Sequence, residues 1–92
     1  MQIVYVIQHS LTKQLYIGQT SNLQQRLKSH NANQTKSTRR KDGEWILVYA
    51  EAYRTKQDAM NREKMLKHHG SSKRELFKRI ANCFIETKSE AG

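Results

Sequence analysis

Apolar and polar positions change their period along this chain. In QIVYVIQH (Gln2 to His9) β-branched and aromatic residues dominate, and KQLYIGQ (Lys13 to Gln19) resumes that composition after a short Ser-Leu-Thr connection, which predicts a hairpin. Ser21 stands three residues before Gln24, the capping-box spacing, while Leu23 and Leu27 recur at helical spacing, so a first helix is expected from near Asn22 to about Asn31. WILVYAEAY (Trp45 to Tyr53) is long and largely apolar, as a strand covered on both faces should be, and is read as the central strand.

Thr55 with Asp58 opens a second helix, carried by Ala59, Met60 and Leu66 until HHG stops it at Gly70. Ser72 with Glu75 repeats the device, and Leu76, Phe77, Ile80, Ala81 and Phe84 form a third helical stripe. NANQTKSTRRKDGE (Asn31 to Glu44) has no apolar period, ends at Asp-Gly and reads as a polar loop. The order strand, strand, helix, strand, helix, helix defines an α+β fold, a small three-stranded antiparallel sheet flanked by helices. One domain is expected over 1–86, with 87–92 a frayed tail.

Charge narrows the partners. The 92 residues carry 17 Lys+Arg against 8 Asp+Glu, a formal net charge of +9, and a surface of that sign attracts polyanions, nucleic acid first. The apolar runs are only a few residues long and no terminal helix combines Trp and Leu with basic residues, so a membrane partner is not expected. Cys83 is the only cysteine, which excludes an internal disulfide and makes a reducing cytoplasm the expected compartment. No zinc spacing, P-loop or dinucleotide glycine pattern occurs.

A few residues sit where simple patterning would not put them. Glu63 lies four after Ala59 and three before Leu66, on the apolar stripe of the second helix, where a carboxylate must be paired, protonated or bound to a cation. An ion pair with a neighbouring base and a metal ligand are both open readings. Arg26 and His30 are four apart and share a helix face bordering the buried stripe, though each alone is commonly a solvated or dipole-favoured residue. Tyr5 and Tyr16 fall in strands that can pair, where a tyrosine ordinarily contributes its ring to a core. Gly18 permits a tight turn or a close approach.

Taken together, Ile3-Val4-Tyr5, the intact Tyr16-Ile17-Gly18, SNLQQRLKSH with Arg26 and His30, and KQDAMNREKMLK with Glu63 resemble the GIY-YIG nuclease superfamily, in its small single-domain bacterial, excinuclease-subunit-like form. The first tripeptide lacks the leading glycine of the family name. The likeness runs from about Gln2 to Ile80, with no appended DNA-targeting domain.

The resemblance implies a metal-dependent endonuclease that hydrolyses phosphodiester bonds, with DNA as the expected substrate, in repair or in processing of single-stranded or branched forms. By that likeness Glu63 would hold Mg²⁺ or Mn²⁺, Arg26 would bind the scissile phosphate, and Tyr5 or Tyr16 would serve as general base, its pKa lowered by Arg and metal. His30 would shuttle a proton or orient a tyrosine. Lys36, Arg39, Arg40, Lys67, Lys73 and Arg74 are expected to contact backbone phosphates, with Gly18 at the nucleic-acid surface. A monomer or weak homodimer is expected. The alternative is a nucleic-acid-binding module that keeps the fold without useful catalysis, or that needs a partner to aim it.

Overall fold

A computed structural model describes residues 1–32 and 42–85. Its elements are β1 (Gln2–His9), β2 (Leu15–Thr20), α1 (Leu23–Asn31), β3 (Trp45–Tyr53), α2 (Lys56–His68) and α3 (Gly70–Arg79), followed by a 3₁₀ turn at Ala81–Cys83. The expected α+β order is therefore the observed one, and the three strands form a single antiparallel sheet.

The sheet order is β2-β1-β3, so the centre is β1 and not the long third strand. Alternation on β1 divides its side chains between two half-cores. Val4 and Val6 join Ile17, Ala59, Leu66, Leu76 and Ile80 beneath α2 and α3, while Tyr5 and Ile7 join Trp45, Leu23 and Leu27 toward α1. Every residue from Val4 to His9 is buried. The strand with helices on both faces is thus the N-terminal one.

β3 has one neighbour, and only Trp45 along it is buried; Ile46 and Leu47 remain more than a third exposed. A register shift between Val6 and Ile7 lets Val48 intervene between the pairs Val6↔Tyr49 and Ile7↔Leu47, which interrupts the strict two-residue alternation on this edge. An apolar run says that a strand has something to bury, but not how many neighbours it has.

Helix ends also depart from expectation in informative ways. Asn22, not Ser21, caps α1, its Oδ1 accepting from the Gln25 N–H at 3.1 Å. Thr55 caps α2 as expected, accepting from Asp58 N–H at 3.2 Å. Gly70 does not terminate α2 but begins α3, because His69 alone adopts extended angles (φ −118, ψ 99) and serves as the joint between the helices. The expected Ser72 cap therefore lies inside α3, whose first residues bond back to the His69 carbonyl. That helix stops at Arg79, short of the stripe's last members, and Ala81 is exposed.

The β1–β2 connection is organised by His9. Its Nδ1 accepts from Leu11 N–H and Thr12 N–H, each at 3.2 Å, and its ring meets Trp45 edge-on at 5.2 Å. Lys13 then turns through φ 65, an uncommon left-handed conformation for a residue with a Cβ.

Candidate active site

The site starts from one cross-strand pair. Tyr5 of β1 faces Gly18 of β2, and a Cβ built on Gly18 would lie 2.5 Å from the Tyr5 hydroxyl and 2.7 Å from the carbon bearing it. Only glycine leaves room for the tyrosine at that register position. Gly18 is itself buried, so its contribution is space for Tyr5 rather than a surface for nucleic acid.

α1 supplies the next two groups, four residues apart on one face. Arg26 Nε–H donates to the Tyr5 hydroxyl at 3.4 Å, and His30 Nε2 lies 2.8 Å from the same oxygen. Tyr5 is 1 % exposed and His30 fully buried, so the phenolic proton needs an internal acceptor. With Arg26 donating to the oxygen, His30 Nε2 is the acceptor in reach among the described residues. Burial, aided by the charge of Arg26, holds His30 below the ordinary histidine pKa and hence neutral at pH 7, which suits that role.

Burial pushes the Tyr5 hydroxyl above its usual 10.0, and the hydrogen bond and charge of Arg26 only partly oppose this. The lowered tyrosine pKa expected from sequence is therefore not found at Tyr5. The Arg26 guanidinium is raised in turn, chiefly by its bond to Tyr5.

Tyr16 completes an aromatic triangle, its ring 6.5 Å from that of Tyr5 and 5.2 Å from that of His30. The end of α1 is pinned by Asn31. Its Oδ1 accepts from Trp45 N–H at 2.6 Å and its amide donates to the Trp45 carbonyl at 3.1 Å, which fastens the turn carrying His30 to β3. Sequence reading missed Asn31, although an Asn closing a helix before a polar loop is a usable signal.

Glu63 reaches the same region from α2. The stripe position expected to be buried lies at the rim, with 21 % of the side chain exposed, because Ala59 and Leu66 face the core and Glu63 flanks them. Met60, expected inside, is 44 % exposed. Glu63 Oε2 is 2.9 Å from Lys67 Nζ, one turn on, so the ion-pair reading holds in this state.

A cleft of about 260 Å³ contains Glu63 together with Gln19, Lys64, Lys67 and His68. Gln19 Oε1, also overlooked from sequence, is a buried acceptor with no hydrogen-bond partner among the described residues. A carboxylate and a neutral amide oxygen are hard donors, the chemistry that Mg²⁺ or Mn²⁺ accepts, so these residues fit such an ion. Among the described residues no group of three or more His, Cys, Asp or Glu converges on one point, so that ion would keep waters or phosphate oxygens.

Of the basic residues expected at phosphates, Lys67, Lys73 and Arg74 lie exposed on α2 and α3, whereas Lys36, Arg39 and Arg40 fall outside the described residues, as does the 87–92 tail. Among the described residues no helix is long and apolar enough to cross a membrane.

The model of the GIY-YIG catalytic domain matches residues 1–76, and the chain belongs to that family, one of nucleases that generally use divalent metals. Among solved structures it is similar to the UPF0213 protein BH0048 from Bacillus halodurans, determined by solution NMR, at 27 % identity and a TM-score of 0.53, covering 87 % of this chain and 85 % of that one. Comparison with curated proteins gave no match.

Proposed function

We propose that this protein is a metal-dependent endonuclease that cuts DNA by hydrolysing a phosphodiester bond, with Tyr5, Tyr16, Arg26, His30 and Glu63 as its working residues. The observation that carries the reading is the ordered relay at the Tyr5 hydroxyl, with Arg26 donating to the oxygen at 3.4 Å and neutral His30 2.8 Å away to receive its proton. A buried phenol held this way is more than a core ring.

In this reading the Tyr5 oxygen takes a proton from the attacking water as its own proton passes to His30 Nε2. The water oxygen bonds to phosphorus, the bridging P–O bond breaks, and the departing oxygen takes a proton from solvent. Arg26, its Nε engaged by Tyr5, offers its remaining N–H groups to the phosphoryl oxygens. Tyr16 packs the far side of the histidine and limits its rotation. Glu63, with Gln19 beside it, would hold Mg²⁺ or Mn²⁺, which when bound polarises a phosphoryl oxygen.

Lys67, Lys73 and Arg74 give the strand a basic approach, so affinity falls with salt and carries little base preference. In this proposal a single domain over 1–86 acts as a monomer or weak homodimer, in the cytoplasm, in repair or strand processing.

The test is cleavage of labelled single-stranded, duplex and branched DNA, beside matched RNA, in Mg²⁺, Mn²⁺ or EDTA, with wild type against Glu63→Ala. Metal-dependent products that vanish in the variant support the enzyme; binding without cutting by either protein assigns the chain to the non-catalytic module.

A further inference from the structure

A second cleft, of about 470 Å³, opens on the other side of Tyr16 and takes no part in the relay. Its floor is apolar, formed by Leu15 and Ile17 of β2 and Phe77 of α3, and Tyr16 forms one wall. Among the described residues three lysines surround it, Lys13 from the hairpin connection, Lys67 from α2 and Lys73 from α3, and no acidic one lines it. The volume lies within the ~300–1,000 Å³ typical of ligand clefts.

The two helical lysines rest on aromatic faces, Lys67 Nζ 5.5 Å from the Tyr16 ring centre and Lys73 Nζ 5.9 Å from that of Phe77. Phe77 is itself held as a platform by an edge-on contact with Phe84 at 5.3 Å. Apolar surface rimmed by ammonium groups, two of them engaged at their far side by Glu63 (Lys67, 2.9 Å) and the Ser10 carbonyl (Lys13, 2.6 Å), suits a ligand that is planar in the middle and anionic on its flanks. The long lysine stems allow both heads to move from the rings onto phosphates when a flat group enters.

We infer that this cleft binds one unpaired nucleotide of the strand being cut, its base on the Leu15, Ile17 and Phe77 floor and its phosphates on Lys13, Lys67 and Lys73. The inference rests on the nuclease reading for the identity of the strand, and it names the substrate class: nucleic acid with at least one unstacked base beside the scissile phosphate. Bases in an intact duplex are paired and stacked, and cannot reach a floor recessed between two helices and a strand edge. Lys67 belongs to this cleft and to the one holding Glu63, so the nucleotide would sit beside the carboxylate's cleft, with Tyr16 between it and His30.

The experiment is fluorescence anisotropy in EDTA with the intact protein and three labelled DNAs of equal length: an oligothymidine, the same backbone carrying abasic sites, and a duplex. The base-bearing single strand is expected to bind at least about fivefold more tightly than the abasic one, as stacking of a base on an aromatic ring provides. Lys73→Gln, an exposed change, should weaken it and lower the slope of log K against log salt by about 0.7. Phe77→Leu should shrink the base preference while leaving the salt slope alone.

Equal binding of abasic and base-bearing strands, a preference for duplex, or wild-type affinity in Lys73→Gln would overturn the assignment. No metal or turnover enters this measurement, so its failure is separable from that of the enzyme. Base-blind binding beside metal-dependent cutting removes the cleft and keeps the nuclease; base-selective binding without cutting does the reverse.

Discussion

Two clusters in this small fold use the same ingredients, two tyrosines, an arginine and a carboxylate, and they are wired differently. Around Glu51 three donors converge on the carboxylate. Tyr49 Oη–H donates to its Oε2 at 2.6 Å, while Tyr53 Oη–H at 2.8 Å and Arg62 Nε–H at 2.6 Å donate to Oε1. Burial works to raise the Glu51 carboxyl, but these three bonds outweigh it and hold its pKa below the usual value. Burial and the bond to Glu51 push Tyr53 up to about 12, so it stays a donor.

Around Tyr5 the carboxylate stands apart from the tyrosines. Arginine and histidine meet the phenol directly, and Glu63 is matched only by an exposed lysine on its own helix. The hydrogen bonds on Glu51 fix β3 to α2, whereas those on the Tyr5 hydroxyl tie β1 to α1 and leave Glu63 on a separate element. The same residue types build two different arrangements, and the difference lies in whether the carboxylate is the centre of the hydrogen bonds.

Matched substitutions sharpen the contrast. Tyr5→Phe should lower kcat by about 10²–10⁴ with little change in thermal midpoint, while Tyr53→Phe leaves turnover unchanged. Comparable loss of activity from both would erase the distinction. Next in size, Arg26→Ala should cost about 10²–10³ in cleavage through loss of phosphate stabilisation. Arg62→Ala should cost about 1 kcal/mol of stability, read by urea unfolding, and none of the activity.

Gly18→Ala should destabilise the fold by about 1–3 kcal/mol, because its methyl would overlap the Tyr5 hydroxyl. The double variant with Tyr5→Phe should recover part of that stability and none of the cleavage.

The smallest effect is the pH dependence of stability, which separates the clusters by window. The unfolded chain protonates histidine near 6.5 and His30 resists this when folded, so stability falls as pH drops from about 6.5 toward the lower folded value. For Glu51 the stabilisation is complete above the ordinary carboxyl value of 4.5 and is lost as pH falls through its lower folded value. Thermal midpoints between pH 8 and 3 should show both steps. Glu51→Gln should remove only the acidic one, and a wild-type acid limb there would exclude Glu51 as its source.

What the sequence displayed was what local spacing determines. Tyr16, Gly18, Arg26 and His30 lie close along the chain, so hairpin register and one helical turn bring them together, and their convergence was legible. The pairing of β1 with β2 was legible too, but the place of β3 was not, because β3 is as apolar as β1 and its own run does not say which of them lies at the edge. The Glu51 network was invisible for a related reason. A glutamate on a strand reads as solvent-facing until α2 delivers Arg62 from eleven residues away. Gly70 resembled a stop, yet the break belongs to His69, whose backbone angles no side-chain pattern encodes.

The hairpin and first helix hold every hydrogen-bonded member of the relay, and the widest link among them, Tyr5 to His30, closes only 25 residues. Glu63 arrives from beyond the third strand. Short closures cost less chain entropy than long ones, which gives the molecule an order of assembly. The aromatic and basic half is favoured to gather early and the carboxylate to dock late, so a nascent chain halted before α2 has its tyrosines, arginine and histidine assembled and still lacks Glu63.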